Sequence, residues 1–157
     1  MTSVCALQLV ERSKPTLDHP VYTHIQGLAN FKNFKSFDSA GKPVEVQRTK
    51  PITLRTLLTH ASGLTYDSLH PKFLAWLAYH ERKPGTGAKL LQRHDIPLMF
   101  DSEESWMYGH GIDYADLLLE RVTGVTLERY RRQNLLEPLG ISHMTFQLKS
   151  RPDMKAE

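Results

Sequence analysis

The sequence predicts an α/β chain that is mainly helical and carries one short hairpin. Apolar residues recur at helical spacing in Val4, Leu7 and Val10, and again in Tyr114, Leu117, Leu118 and Val122. Residues 31–46 instead alternate in two short runs around Ser39-Ala40-Gly41-Lys42-Pro43, a turn composition. With 157 residues, 40% hydrophobic and 24% charged, the chain can bury the core of one ordinary domain.

The elements follow in chain order. A first helix is expected over residues 2–14 and is stopped by Pro15. It opens with hardly a residue before it to cap it, so a lead-in upstream of Met1 is expected. After the hairpin, Thr53 caps a short helix through Leu57, Leu58 and His60, ended by Ser62-Gly63. Pro71 opens another, with Phe73, Leu74, Trp76, Leu77 and Tyr79 turned inward, and Lys83-Pro84-Gly85-Thr86-Gly87 ends it. A loop is expected from there through Pro97 to Trp106. The helix from Asp113 to Val122 stops at Thr123-Gly124, and Thr126 caps the next one, which runs through Leu127, Tyr130, Leu135 and Leu136 to Pro138-Leu139-Gly140.

Several function classes are disfavoured by composition. The net charge is only +3 and the basic residues are spread; Arg129, Arg131 and Arg132 are expected to scatter over a solvated helix face, so no nucleic-acid partner is expected. The single cysteine, Cys5, has no partner for an internal disulfide and lies on what reads as a buried helix face, which fits a reduced, cytoplasmic setting. No apolar run approaches the roughly 20 residues needed to cross a bilayer, so no membrane partner is expected. The eight histidines never form H-E-x-x-H or a close ligand pair, so no metal is expected. Glu103 and Glu104 read as a solvated loop pair, and Gly85-Thr86-Gly87-Ala88-Lys89 lacks phosphate-loop spacing.

Two segments are informative. One contains Leu57-Leu58-Thr59-His60-Ala61-Ser62-Gly63-Leu64; the other runs Trp106-Met107-Tyr108-Gly109-His110-Gly111-Ile112-Asp113-Tyr114-Ala115 and on to Glu120-Arg121-Val122-Thr123-Gly124. With Leu135-Leu136-Glu137-Pro138-Leu139-Gly140-Ile141 they resemble the serine β-lactamase and penicillin-binding-protein-like family, especially its esterase and fungal transesterase branch. The resemblance implies the helical part of a β-lactamase/transpeptidase-like α/β fold, no cofactor, and a small-molecule acyl substrate: ester, thioester or lactam. It also implies an acyl-enzyme route, in which the Ser of an S-x-x-K motif attacks a carbonyl while a Lys and a Tyr move the proton. The position matching that tyrosine is Tyr108, expected in a loop leading into the Asp113 helix and outside the core. By residue type alone Tyr108 also fits an amphipathic residue at a helix entrance, the reading given to Tyr114. His110 takes the third place of the family's Y-x-N element and could supply a hydrogen bond there. His60 and Ser62 read as a helix-end turn, not as base and nucleophile.

The resemblance also breaks. The only S-x-x-K is Ser39-Ala40-Gly41-Lys42, in the hairpin turn, whereas the motif needs a helix start to stack Ser and Lys on one face. The matching nucleophile is therefore expected ahead of Met1, and the far end of the family's domain is expected to be missing too, since no K-T-G or H-x-G strand follows Leu148 in this sequence. Residues 101–105 replace the family's Pro-Gly-containing approach to the tyrosine. The expectation is a truncated domain over residues 1–148 with a polar tail at 149–157, most of its antiparallel sheet missing, and apolar faces around Leu57, Trp76 and Leu117 only partly covered. Either it is a fragment of an acyl-transfer enzyme, or it is an inactive remnant acting as a binding module.

Overall fold

In the computed structural model, which describes residues 1–151 apart from Ser13 and Ala88, the first helix is α1 (Thr2–Glu11). Cys5, Ala6 and Leu9 share its buried face, while Val4 and Leu7 lie exposed. It ends three residues earlier than expected, where the Arg12 N–H bonds back to the Gln8 carbonyl. Burial pushes the Cys5 thiol above its ordinary pKa, which keeps it a packing group.

The hairpin pairs β1 (Lys32–Phe37) with β2 (Pro43–Gln47) antiparallel, Lys32 opposite Gln47 and Phe37 opposite Pro43, with a bulge between Phe34 and Ser36. Asp38 closes the turn by accepting from the Ala40 and Lys42 N–H groups at 2.9 Å each, and Gly41 supplies a φ of 77°. Ser39 and Lys42 sit in this exposed turn. The stretch expected as a plain loop to Trp106 is more ordered than that. It contains α4 (Leu90–Arg93), after α2 (Leu54–Leu58) and α3 (Pro71–Tyr79). Leu98 also pairs in parallel with the free edge of β1, exchanging bonds of 2.8 Å with Lys32 O and Phe34 N.

Thr53 and Thr56 form a reciprocal cap at the start of α2, with bonds of 3.2 and 3.0 Å. On α3 only Phe73, Trp76 and Leu77 are buried; Leu74 and Tyr79, expected inward, are exposed. At 3.6 residues per turn the buried trio forms one stripe, and the other two fall on its flanks.

The centre of the molecule is α5 (Gly111–Thr123), which Gly124 ends in a left-handed conformation. Against it pack α1, α2 and α6 (Leu127–Arg131), which continues as a wide turn over Arg132–Leu136. Tyr114, Ala115 and Leu118 meet Leu54, Leu57, Leu64 and Leu98 in the main cluster. Cys5, Leu9, Leu119 and Tyr130 form a second, and α3 covers the hairpin through Phe34, Phe73, Trp76, Leu77 and Ile96. The expectation of partly covered apolar faces is overturned for Leu57 and Trp76, which are buried. Tyr114, expected to be amphipathic, is fully buried, and burial raises its phenol pKa.

Arg131 also departs from expectation. It is 1% exposed, pairs with Glu128 at 2.6 Å and lies 3.8 Å over the Phe146 ring. Glu128 further accepts from Arg132, Thr145 Oγ1 and the Phe146 N–H, so burial, which alone would raise its carboxyl, is outweighed and the pKa falls. Together these contacts hold the segment after Gly140 on α6. Of the expected tail, Leu148–Ser150 forms a single turn and residues 152–157 lie outside those described. No helix among the described residues is long and apolar enough to cross a membrane.

Candidate active site

The two segments singled out by their motifs pack against one another, and their joint is built from backbone. After α2, His60 takes a φ of 58°, a left-handed conformation that turns the chain back toward α5. The His60, Ala61 and Gly63 carbonyls then accept from the N–H groups of Met107, Glu103 and Met99 at 3.0, 2.8 and 2.8 Å. Ser62 is buried, and its hydroxyl accepts from the Leu64 N–H at 3.4 Å, the helix-end role its position suggests. Gly109 lies flush on the Leu64 carbonyl and Gly111 on the Leu57 carbonyl, so a side chain at either would overlap that oxygen. Thr65 Oγ1 donates to the Tyr108 carbonyl at 3.3 Å.

This seat presents Tyr108 in the loop that enters α5, with 54% of its surface exposed. Its ring stands between His60 and Tyr66, with centroids 4.8 and 5.7 Å away, and Trp106 lies 6.1 Å from His60. His110 stands at the N-terminal boundary of α5, where its side chain makes no capping bond, and is 1% exposed, so it lies below this layer. It meets Tyr66 at 4.1 Å and stacks on His94 at 3.2 Å. Its Nδ1 is 3.6 Å from Asp113 Oδ2, too long for a hydrogen bond. Tyr108 and His110 are thus neighbours across Tyr66, with different exposures.

Tyr66 and His94 were not marked by sequence reasoning. Neither belongs to a periodic pattern, and His94 ends a helix that reads as loop. Burial first, then Asp113 and Tyr108, raise the Tyr66 phenol pKa. Burial and then His110 lower the His94 imidazole to about 4. No group of three or more His, Cys, Asp or Glu side chains gathers as a metal site among the described residues.

The approach to the tyrosine is held by Asp101, which is buried. It accepts from Thr49 N and Oγ1 at 2.6 and 2.5 Å, from Lys50 N at 3.2 Å and from Ser102 N at 3.1 Å. Burial works to raise its pKa, but these bonds win and hold it low. Glu104 joins the loop by accepting from the Asp101 N–H at 3.3 Å, while Glu103 is exposed. Asp101→Asn keeps the shape and removes the charge, and is expected to cost about 2 kcal/mol in a urea titration at pH 7.

A pH dependence follows from His94. Folded it titrates near 4, against 6.5 unfolded, so the unfolded chain binds more protons between those values. Its stabilising contribution is complete above pH 6.5 and is lost as pH falls toward 4, by on the order of 3 kcal/mol. Asp116, hydrogen-bonded to Thr2, is raised by burial to about 6 and acts with the opposite sign in the same window. The effect is therefore read as the difference between wild type and His94→Phe. In parallel melts from pH 7.5 to 4.5 the wild type is expected to lose more stability than the variant.

Helices α1, α2 and α6 thus surround α5, with an exposed tyrosine at the entrance to that helix. Residues 1–156 match the Beta-lactamase family, and the chain belongs to it. It is 39% identical over 156 residues to the monacolin J acid methylbutanoyltransferase of Aspergillus terreus, covering 99% of this chain and 38% of that protein. It is 34% identical over 157 residues to the lovastatin esterase of Penicillium rubens, covering 99% of this chain and 39% of that protein. The unliganded selenomethionyl structure of simvastatin synthase (LovD) from Aspergillus terreus superposes with a TM-score of 0.87 and 39% identity, over 98% of this chain and 38% of that one. The fold is thus β-lactamase/transpeptidase-like, and the chain spans well under half the length of these relatives.

Proposed function

We propose that this chain is part of a serine acyl-transfer enzyme and that Tyr108 handles the proton of a serine supplied from outside residues 1–157. The observation that carries the reading is the seat of Tyr108. An exposed phenol at the position matching the family tyrosine is held by backbone contacts on both sides. The only S-x-x-K in the chain lies in a solvent-exposed hairpin turn, with no helix to align its two side chains. On this reading residues 1–148 are one portion of the catalytic domain, residues 149–157 are a polar tail, and most of the antiparallel sheet comes from elsewhere in the polypeptide. The setting is cytoplasmic and the substrate a small-molecule ester, thioester or lactam.

The chemistry runs in two halves. The serine oxygen attacks the acyl carbonyl while its proton passes toward the Tyr108 oxygen, assisted by the lysine of the same motif, and the leaving group departs with a proton. An acceptor hydroxyl or water then attacks the acyl-serine ester, gives up its own proton, and regenerates the serine. Transfer and hydrolysis differ only in that acceptor, which agrees with relatives named as a methylbutanoyltransferase and an esterase. His110 is assigned to the wall of the site, below Tyr108.

Intact mass spectrometry tests this. After incubation with a β-lactam, an activated ester or a fluorophosphonate, the 157-residue chain is expected to carry no stoichiometric adduct. The longer polypeptide that adds an S-x-x-K helix start is expected to gain one, on that serine. An adduct on a serine within residues 1–157 would overturn the assignment. A longer polypeptide inert to all three reagents would leave an inactive binding module.

A further inference from the structure

His60 follows the end of α2 with a φ of 58°, a place where helices commonly turn into the left-handed region on glycine or, less often, asparagine. A residue with a β-carbon is strained there, and such strain is characteristically kept where it serves a site. Gly63, three residues on, takes the same region at a φ of 81° with no β-carbon to strain it. A histidine kept at position 60 therefore calls for a use of its ring.

That use is packing against the tyrosine loop. The imidazole centroid lies 4.8 Å from the Tyr108 ring, tilted by 48°, and 6.1 Å from the Trp106 ring, edge-on at 76°. Aromatic pairs attract at these separations. Its Nδ1 is buried with no hydrogen-bond partner among the described residues, so no polar contact there competes with the ring packing. The His60 carbonyl accepts from the Met107 N–H at 3.0 Å, so one residue grips the loop through both backbone and ring. On its other side Tyr108 meets Tyr66 at 5.7 Å, and Tyr66 is itself backed edge-on by the buried ring of His110 at 4.1 Å. A phenol that is 54% exposed, with one flank open, would spread over its staggered χ1 wells. A proton-transfer oxygen, by contrast, has to come within about 2.6–3.2 Å of its partner. The His60 ring fills the flank that would otherwise be open.

We infer that His60 is the positioning residue of Tyr108: its ring closes the flank opposite Tyr66 and holds the phenol in the one rotamer that reaches the serine's proton. The inference rests on the acyl-transfer reading for that proton; the placing of the phenol stands on the ring geometry alone. The role belongs to the shape of the ring and not to its nitrogens. Phenylalanine at this position should therefore serve, and asparagine, polar but without a ring, should not.

Three variants separate ring, backbone and polarity. His60→Gly and His60→Asn accept the left-handed backbone but lose the ring, whereas His60→Phe keeps a ring and the strain of the wild type and loses the nitrogens. In the 157-residue chain the readout is the χ1 population of Tyr108, from three-bond couplings and from ring NOEs to Tyr66. Wild type and His60→Phe are expected to hold one rotamer, and the two ringless variants to average over more than one. In the longer polypeptide, with an activated ester, the ringless variants are expected to lose about 10- to 100-fold in kcat with KM within about twofold, the cost of a misplaced catalytic group. His60→Phe should stay within about threefold of wild type, because its ring packs the same flank. A single Tyr108 rotamer in both ringless variants would overturn the inference, as would averaging of the rotamer with kcat unchanged. Activity kept by His60→Asn and lost by His60→Phe would assign the role to a polar atom and overturn it as well. The expected rotamer result alongside a longer polypeptide that is never acylated would instead sink the acyl-transfer reading and leave His60 as the residue that places the Tyr108 ring.

Discussion

Tyr108→Phe, made in the longer polypeptide, is expected to lower kcat by about 10²–10⁴-fold, the contribution of a positioned proton-transfer group. The substitution removes one oxygen and leaves the ring, so the packing between His60 and Tyr66 at 4.8 and 5.7 Å is kept. KM and the melting temperature should therefore change little, whereas a tyrosine that merely packs would show no loss in kcat. Steady-state kinetics with an activated ester, alongside thermal melts of both proteins, separates the two.

Gly111→Ala is the second large effect. At the first position of α5 alanine is the better helix former, by about 1 kcal/mol on propensity alone. Here the new Cβ would overlap the Leu57 carbonyl oxygen, and the backbone of α2 cannot swing aside as a flexible side chain would. The collision outweighs the propensity, with an expected loss of about 3 kcal/mol in urea titrations and a displaced Tyr108 loop. Gly124→Ala is the control. Its Cβ would meet nothing within 4 Å, and only the φ of 71° opposes it, so a loss of about 1 kcal/mol is expected. Equal costs at the two glycines would refute the seat as the source of the effect.

Much of this architecture is legible in the sequence, because the signals that reveal it are local. The apolar period of α5 and its stop at Gly124, the caps at Thr53 and Thr126, and the turn closed by Asp38 and Gly41 all depend on residues within a few positions of one another. The four-residue α4 has no side-chain cap and only Leu90 and Leu91 as apolar positions, too little for a periodic signal. Leu98 pairs with residues more than sixty positions earlier, which no local pattern encodes. The burial of Arg131 is half visible: Glu128 lies three residues before it, but Phe146 comes from a distant segment.

The site divides in the same way. Tyr108 and His110 stand out through family motifs, whereas Tyr66 and His94 join them only because the chain returns through His60 and α4. The need for glycine at 109 and 111 is likewise invisible until the carbonyls of Leu64 and Leu57 are found beneath them.

The most direct measurement of the central claim is the rate of acyl-serine formation in the longer polypeptide, followed by rapid-quench intact mass with and without Tyr108→Phe. The predicted result is one adduct per chain, on the serine of the added S-x-x-K, forming at least about a hundredfold more slowly in the variant and reaching the same final stoichiometry. Equal rates in the two proteins, or acylation of any serine within residues 1–157, would contradict the assignment of Tyr108 to the proton of an acyl-transfer reaction.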